Sequence, residues 1–179
     1  MVITLMKKKT NLHIIIYSQF PCHSGGRENW LYNLLPFLSK KFNTIFIYSL
    51  NSKDPNFYNL NKINNIKLIR LFSCKNLGYL YKGINLLTFN LLIFLDMFVT
   101  FRNEVRNHLK KYLHKNDVVI AMNSIIELSP AVDLKINNDN DFLLICSVHG
   151  LVPKELDTLF PLPKYYFNNW SLAFFHFLA

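Results

Sequence analysis

Residues 13–18 read HIIIYS, residues 19–26 read QFPCHSGG, and from Glu28 onward apolar residues recur at Trp30, Leu31, Leu34, Leu35 and Leu38. A short, unbroken apolar run rich in β-branched residues suits a parallel strand covered on both faces. Pro21 and the paired Gly25 and Gly26 mark the loop that ends it. The i, i+3/i+4 spacing that follows predicts a helix closed by Lys40 and Lys41, with Pro36 implying a kink or a short helix.

The same signals repeat downstream. Residues 44–50 (TIFIYSL), 66–72 (IKLIRLF), 117–122 (DVVIAM) and 142–148 (FLLICSV) read as four further strands, and residues 51–65 as an Asn-rich loop. Residues 77–114 read as two helices or one bent one, residues 151–156 as a turn, and residues 164–179 as an aromatic helix. Apolar rather than alternating strands, interleaved with helical patterns, predict an α/β fold: a Rossmann-like, doubly wound, mostly parallel sheet. A length of 179 residues fits one domain spanning residues 1–179.

Composition narrows the function classes. With 51% hydrophobic and 17% charged residues the chain is too apolar to be disordered. Its 15% aromatic content exceeds what a small core hides, which points to a partner surface. A net charge of +9 favours anionic company. Nucleic acid is not the expected partner, because the basic residues are dispersed and no helix-turn-helix or RNA-recognition signature is present. Cys22, Cys74 and Cys146 are an odd, widely spaced set without a CxxC pair, as in a reduced, cytoplasmic protein. Lys7, Lys8 and Lys9 follow the first apolar residues rather than preceding an apolar core, unlike a secretory signal.

The most apolar stretch, residues 77–101, has its charge-free part only between Lys82 and Asp96, short of the roughly 18 uninterrupted residues a spanning helix needs. On a helix Asn85, Asp96 and Asn103 fall within about 20° of one another, one thin polar stripe on an apolar cylinder. A buried or interface-lying helix is therefore expected. Beyond it Arg102, Arg106 and Lys110 stand at i, i+4 and i+8, with Lys111 and Lys115 nearby. Two readings stay open: a basic strip lying on anionic lipid at the inner face of the cell membrane, or a solvated helix end whose cations suit the dipole.

In a parallel sheet, ligands bind beyond the carboxyl ends of the strands. Gly25 and Gly26 occupy that place, where backbone N–H groups at a helix start suit a phosphate or a sugar hydroxyl. Glycines also serve a plain tight turn. The loop is neither GxGxxG nor GxxxxGK[ST], so neither a dinucleotide fingerprint nor a P-loop is present.

Phe20, Pro21, Gly25, Gly26 and Glu28, followed by Asn33, Leu34 and Leu38, resemble the opening of the N-terminal domain of GT-B glycosyltransferases of family 4. There a strand leads into F-P-P-x-x-G-G-x-E and a helix carrying N-L-x-x-x-L; Cys22 replaces the second proline. Residues 147–150, SVHG, are similar to that family's T-x-H-G at the end of the fifth strand. The resemblance implies the N-terminal half of a GT-B fold, transferring a sugar from a nucleotide-linked donor to a lipid-linked or saccharide acceptor, without a metal or other cofactor. It places His149 near the transferred sugar as the catalytic candidate. It puts His23, Gly25, Gly26, Arg27, Glu28 and Gly150 in the substrate- and phosphate-binding loops. Glu28 also suits a first helical turn, and Arg27 a solvated position. Asp139 and Asp141 belong to an N-D-N-D run that reads as a solvated turn rather than a metal motif. The family's second Rossmann domain, with its E-x7-E pair, has no counterpart here, so the chain is expected to be inactive alone and to need that domain or a partner subunit. The alternative is a non-catalytic, membrane-associated scaffold for a separate catalytic subunit.

Overall fold

The computed structural model describes residues 10–18, 20, 26–50, 60, 63–71, 95–122, 125–137 and 141–147. In chain order these form β1 (Leu12–Ile15), α1 (Gly26–Lys41), β2 (Ile45–Leu50), β3 (Ile66–Leu71), a π-helical segment (Asp96–Phe101) continuing into α2 (Arg102–Tyr112), β4 (Val118–Ala121), α3 (Ile125–Asn137) and β5 (Leu143–Cys146). The strands make one sheet in the order β3-β2-β1-β4-β5, with every neighbouring pair parallel. The expected α/β architecture with a parallel sheet is thus present, and each expected strand forms within three residues of its sequence limits.

Register explains the two-sided core. Leu12 lies opposite Ile45 on β2 and Val118 on β4, and His13 opposite Phe46 and Val119. Leu12 and Ile14 therefore share a face with Ile45 and Ile47, and that face packs on Leu31 and Leu35 of α1. Ile15 shares the opposite face with Phe46, Tyr48 and Val119, covered by Phe101, Val105 and Leu109 ahead of and along α2 and by Ile126, Ala131 and Leu134 of α3. Because both faces are covered, β2 is buried along its whole length, which is why its sequence is apolar without alternation.

Handedness distributes the helices. The chain steps outward from β1 to β2 to β3, then returns to the far side of β1 for β4 and moves on to β5. Parallel crossovers are right-handed, so steps in opposite directions place their helices on opposite faces. The sheet is doubly wound, and the switch point lies between β1 and β4.

Three details refine the sequence reading. Pro36 does not end α1, which runs for 16 residues; its side chain is exposed, so the cost is confined to one missing backbone donor. The side-chain amide of Asn65 donates to the carbonyls of Ser39 and Phe42, satisfying the end of α1. Helix α3 was not singled out by the sequence pattern, and its Pro130 is likewise carried inside the helix. Residues 77–94 and 151–179, including the expected aromatic helix, lie outside the described residues. Among the described residues no helix is long and apolar enough to cross a membrane.

Candidate functional site

Strand β1 ends at the switch point, and the residues after it meet the starts of α1 and α3. The Tyr17 N–H donates to Glu127 Oε1 at 2.9 Å, tying the end of β1 to the first turn of α3. Arg27, in the first turn of α1, reaches the same oxygen at 3.4 Å and the carbonyl of Met122 at 3.2 Å. Glu127 is buried, and this pair links the first turns of α1 and α3 beside the point where the strand order reverses. The Tyr17 hydroxyl points to buried Asp96, 3.4 Å from its Oδ2, while the Tyr17 ring stands edge-on to Phe101 at 4.9 Å.

On the β2–β3 side of the same edge, the carbonyl of Phe20 accepts two hydrogen bonds, from Ser49 Oγ at 3.1 Å and from Arg70 Nη1 at 2.6 Å. Phe20 begins the glycine loop, so these two donors anchor its root. Burial pushes the Arg70 pKa down, because its charge is held in a half-buried position against a neutral carbonyl. No carboxylate among the described residues pairs with it.

Gly26 and Glu28 complete this edge. A Cβ built on Gly26 would meet nothing within 4 Å, so the surrounding fold does not demand a glycine there. Glu28 is only 5% exposed. Ser18 Oγ is enclosed without a partner. The edge therefore combines acceptor carboxylates, free donors and the backbone N–H groups of α1's first turn, a set suited to hydroxyl-bearing and anionic groups.

A second buried polar centre lies at the other edge. Asp117 accepts from the Asn11 N–H at 2.9 Å, Asn11 Nδ2 at 3.2 Å, the His114 N–H at 2.9 Å and His13 Nε2 at 3.2 Å. His13 is fully buried, stacked on Phe46 at 4.8 Å, with its Nδ1 2.9 Å from the Tyr48 hydroxyl. Burial outweighs the pull of Asp117 and lowers the His13 pKa; burial likewise raises that of Tyr48. Neutral His13 then donates from Nε2 to the carboxylate and accepts at Nδ1 from Tyr48. Every polar atom of the trio is used. A cavity of about 280 Å³ opens beside it, between Thr10, Asn11, Asn43 and residues 114–117. It sits at the strand starts, opposite the edge where doubly wound sheets bind ligands, and the carboxylate in its wall is already saturated. Asn116 takes a left-handed φ of 69° here, a conformation asparagine tolerates, and its N–H donates to the carbonyl of Asp141. Asp141 is thus in the turn before β5, away from the glycine loop.

Of the residues singled out by sequence, Gly26, Arg27 and Glu28 come together at the switch-point edge, whereas His23, Gly25, His149 and Gly150 lie outside the described residues. Arg27, which the sequence reading places either against a phosphate or in solvent, is engaged by Glu127 and the Met122 carbonyl. The basic strip is divided. Arg102 makes a bidentate pair with Asp133 of α3, both contacts at 2.6 Å, and Asp133 raises its pKa. Arg106 Nε is enclosed without a partner, Lys110 and Lys111 are exposed, and Lys111 stands over the Tyr112 ring. Among the described residues no three His, Cys, Asp or Glu side chains gather as metal ligands.

Glu127, Tyr17 and Arg70 were not picked out by sequence, and Asp96 only as part of a stripe. An acidic residue soon after the fourth strand and an arginine at the end of the third were visible signals. Their meaning depends on strand order, which brings β4 beside β1. Comparison with known protein families, curated proteins and solved structures finds no match to the chain.

Proposed function

We propose that this chain is the acceptor-side half of a GT-B-type glycosyltransferase, contributing the binding of a saccharide or lipid-linked acceptor and part of the pocket for a nucleotide-linked donor. The observation that carries the reading is the position of Gly26, Arg27 and Glu28: a glycine-led helix start at the switch-point edge of a parallel sheet, with open space over Gly26. Buried carboxylates at that edge suit sugar hydroxyls as donors. Transfer requires donor and acceptor to be held together, and on this reading the strand-end edge supplies the acceptor side of that geometry. Lys110 and Lys111 are the exposed cations that an anionic membrane surface would meet.

Saturation-transfer NMR with panels of nucleotide sugars and saccharides tests this. Binding by the full chain is expected, together with its loss in Gly26→Leu at unchanged thermal unfolding, since the added side chain enters open space. Binding that survives this substitution, or no binding to either panel, overturns the proposal. A second reading, a non-catalytic scaffold, rests on Leu143 and Ile145 of β5, exposed by 57% and 40% on a strand that carries no charge. It calls for capture of a protein partner without any sugar or nucleotide binding.

A further inference from the structure

Among the described residues, Arg70 is the one guanidinium at the strand-end edge with most of its donors unspent. Arg27 faces Glu127, whose buried carboxylate opposes any anion brought to that side of the edge. Arg102, at the start of α2, is committed to Asp133 of α3. Arg70 spends Nη1 on the Phe20 carbonyl and has no other partner among the described residues. It projects from β3 on the α1 face, paired in register with Ser49 of β2, and both reach the root of the glycine loop. A half-buried guanidinium held by a neutral acceptor keeps its charge uncompensated, and its planar fork matches a phosphoryl oxygen pair.

We propose that Arg70 is the anion-binding residue of this edge, taking a phosphoryl group of the ligand beside Phe20 and Ser49, in place of the Arg27 that the sequence suggests. The assignment rests on the reading of this edge as a glycosyl-transfer site, and it names the residue that reads the ligand's charge.

The test is titration of the full chain with inorganic pyrophosphate at low salt, followed by calorimetry. Arg70→Gln is expected to weaken binding about ten-fold or more, as for loss of a charge-assisted pair, whereas Arg102→Gln leaves it unchanged. Because Arg70→Gln also loosens the clasp on Phe20, Arg70→Lys serves as the second variant: it retains charge and one donor and is expected to keep part of the affinity. A wild-type chain that ignores pyrophosphate, or an Arg70→Gln variant that binds like wild type, overturns the assignment. A nucleoside diphosphate and a short isoprenyl diphosphate separate donor from lipid-linked acceptor as the source of the anion. Arg70-dependent binding of either supports the assignment, and dependence of neither overturns it. Arg70-dependent pyrophosphate binding with no response to any saccharide or nucleotide sugar keeps the anion site and removes the glycosyltransferase reading. The converse pattern removes only the role of Arg70.

Discussion

At the strand starts, Asp117 accepts four hydrogen bonds and His13 and Tyr48 complete a closed set. At the strand ends, Ser18 Oγ lacks a partner among the described residues, and Arg70 spends one donor on a carbonyl. Both edges bury polar atoms, so burial alone does not mark a site. What separates them is spare bonding capacity. A saturated network stabilises one arrangement of the chain, whereas unspent donors and acceptors at the ligand-bearing edge of a doubly wound sheet carry a cost that a ligand can offset.

Substitutions at the two edges test this contrast. Asp117→Ala removes the acceptor for two backbone N–H groups and for His13, and is expected to cost about 3 kcal/mol or more in urea unfolding. A loss below about 1 kcal/mol breaks the claim that the strand-start centre is structural. Glu127→Ala, which strands the Tyr17 N–H, is expected to cost about 2 kcal/mol, while Glu127→Gln keeps an acceptor and loses less.

The acid limb of stability reports on His13. Its folded pKa lies below the ordinary 6.5, so between those two values the unfolded chain binds a proton that the folded chain does not. Stability is therefore full above pH 6.5 and falls on acidification through that window, by at most about 1.4 kcal/mol per pH unit. Denaturation midpoints from pH 7.5 to 5 should show this slope, and His13→Gln should flatten it. Arg102→Gln is expected to cost under about 1 kcal/mol, shrinking with salt, because its partly exposed pair is screened. Glu28→Gln sharpens the comparison most. Relief of a buried carboxylate and loss of its interaction with the helix dipole oppose each other, leaving stability within about 0.5 kcal/mol. Ligand binding at that edge is expected to fall all the same.

Hydrophobic runs were enough to locate all five strands, because strands covered on both faces need unbroken apolar sequence. Pairings between distant elements were beyond this kind of reading. Nothing near Arg27 announces Glu127, 100 residues away, and nothing near Arg70 announces the Phe20 carbonyl, 50 residues back. Helix α3 was obscured because Pro130 and a weakly one-sided apolar pattern hide its period. Asp96 was read as part of a helical stripe because an α-helical period was assumed where the backbone winds more widely.

That wider winding has its own consequence. Asp96 and Phe101 are five residues apart, and at about 100° per residue an α-helix would separate them by about 140°. The i→i+5 bonding of a π-helix returns them to nearly the same side, where one touches the Tyr17 hydroxyl and the other its ring. The segment thus acts as a phase shifter between α2 and whatever precedes it. Deleting a single residue within it would restore α-helical phase and leave Val105 and Leu109 seated on the sheet. Asp96 would then swing off Tyr17, separating the core-packing and edge-facing roles of one continuous helix.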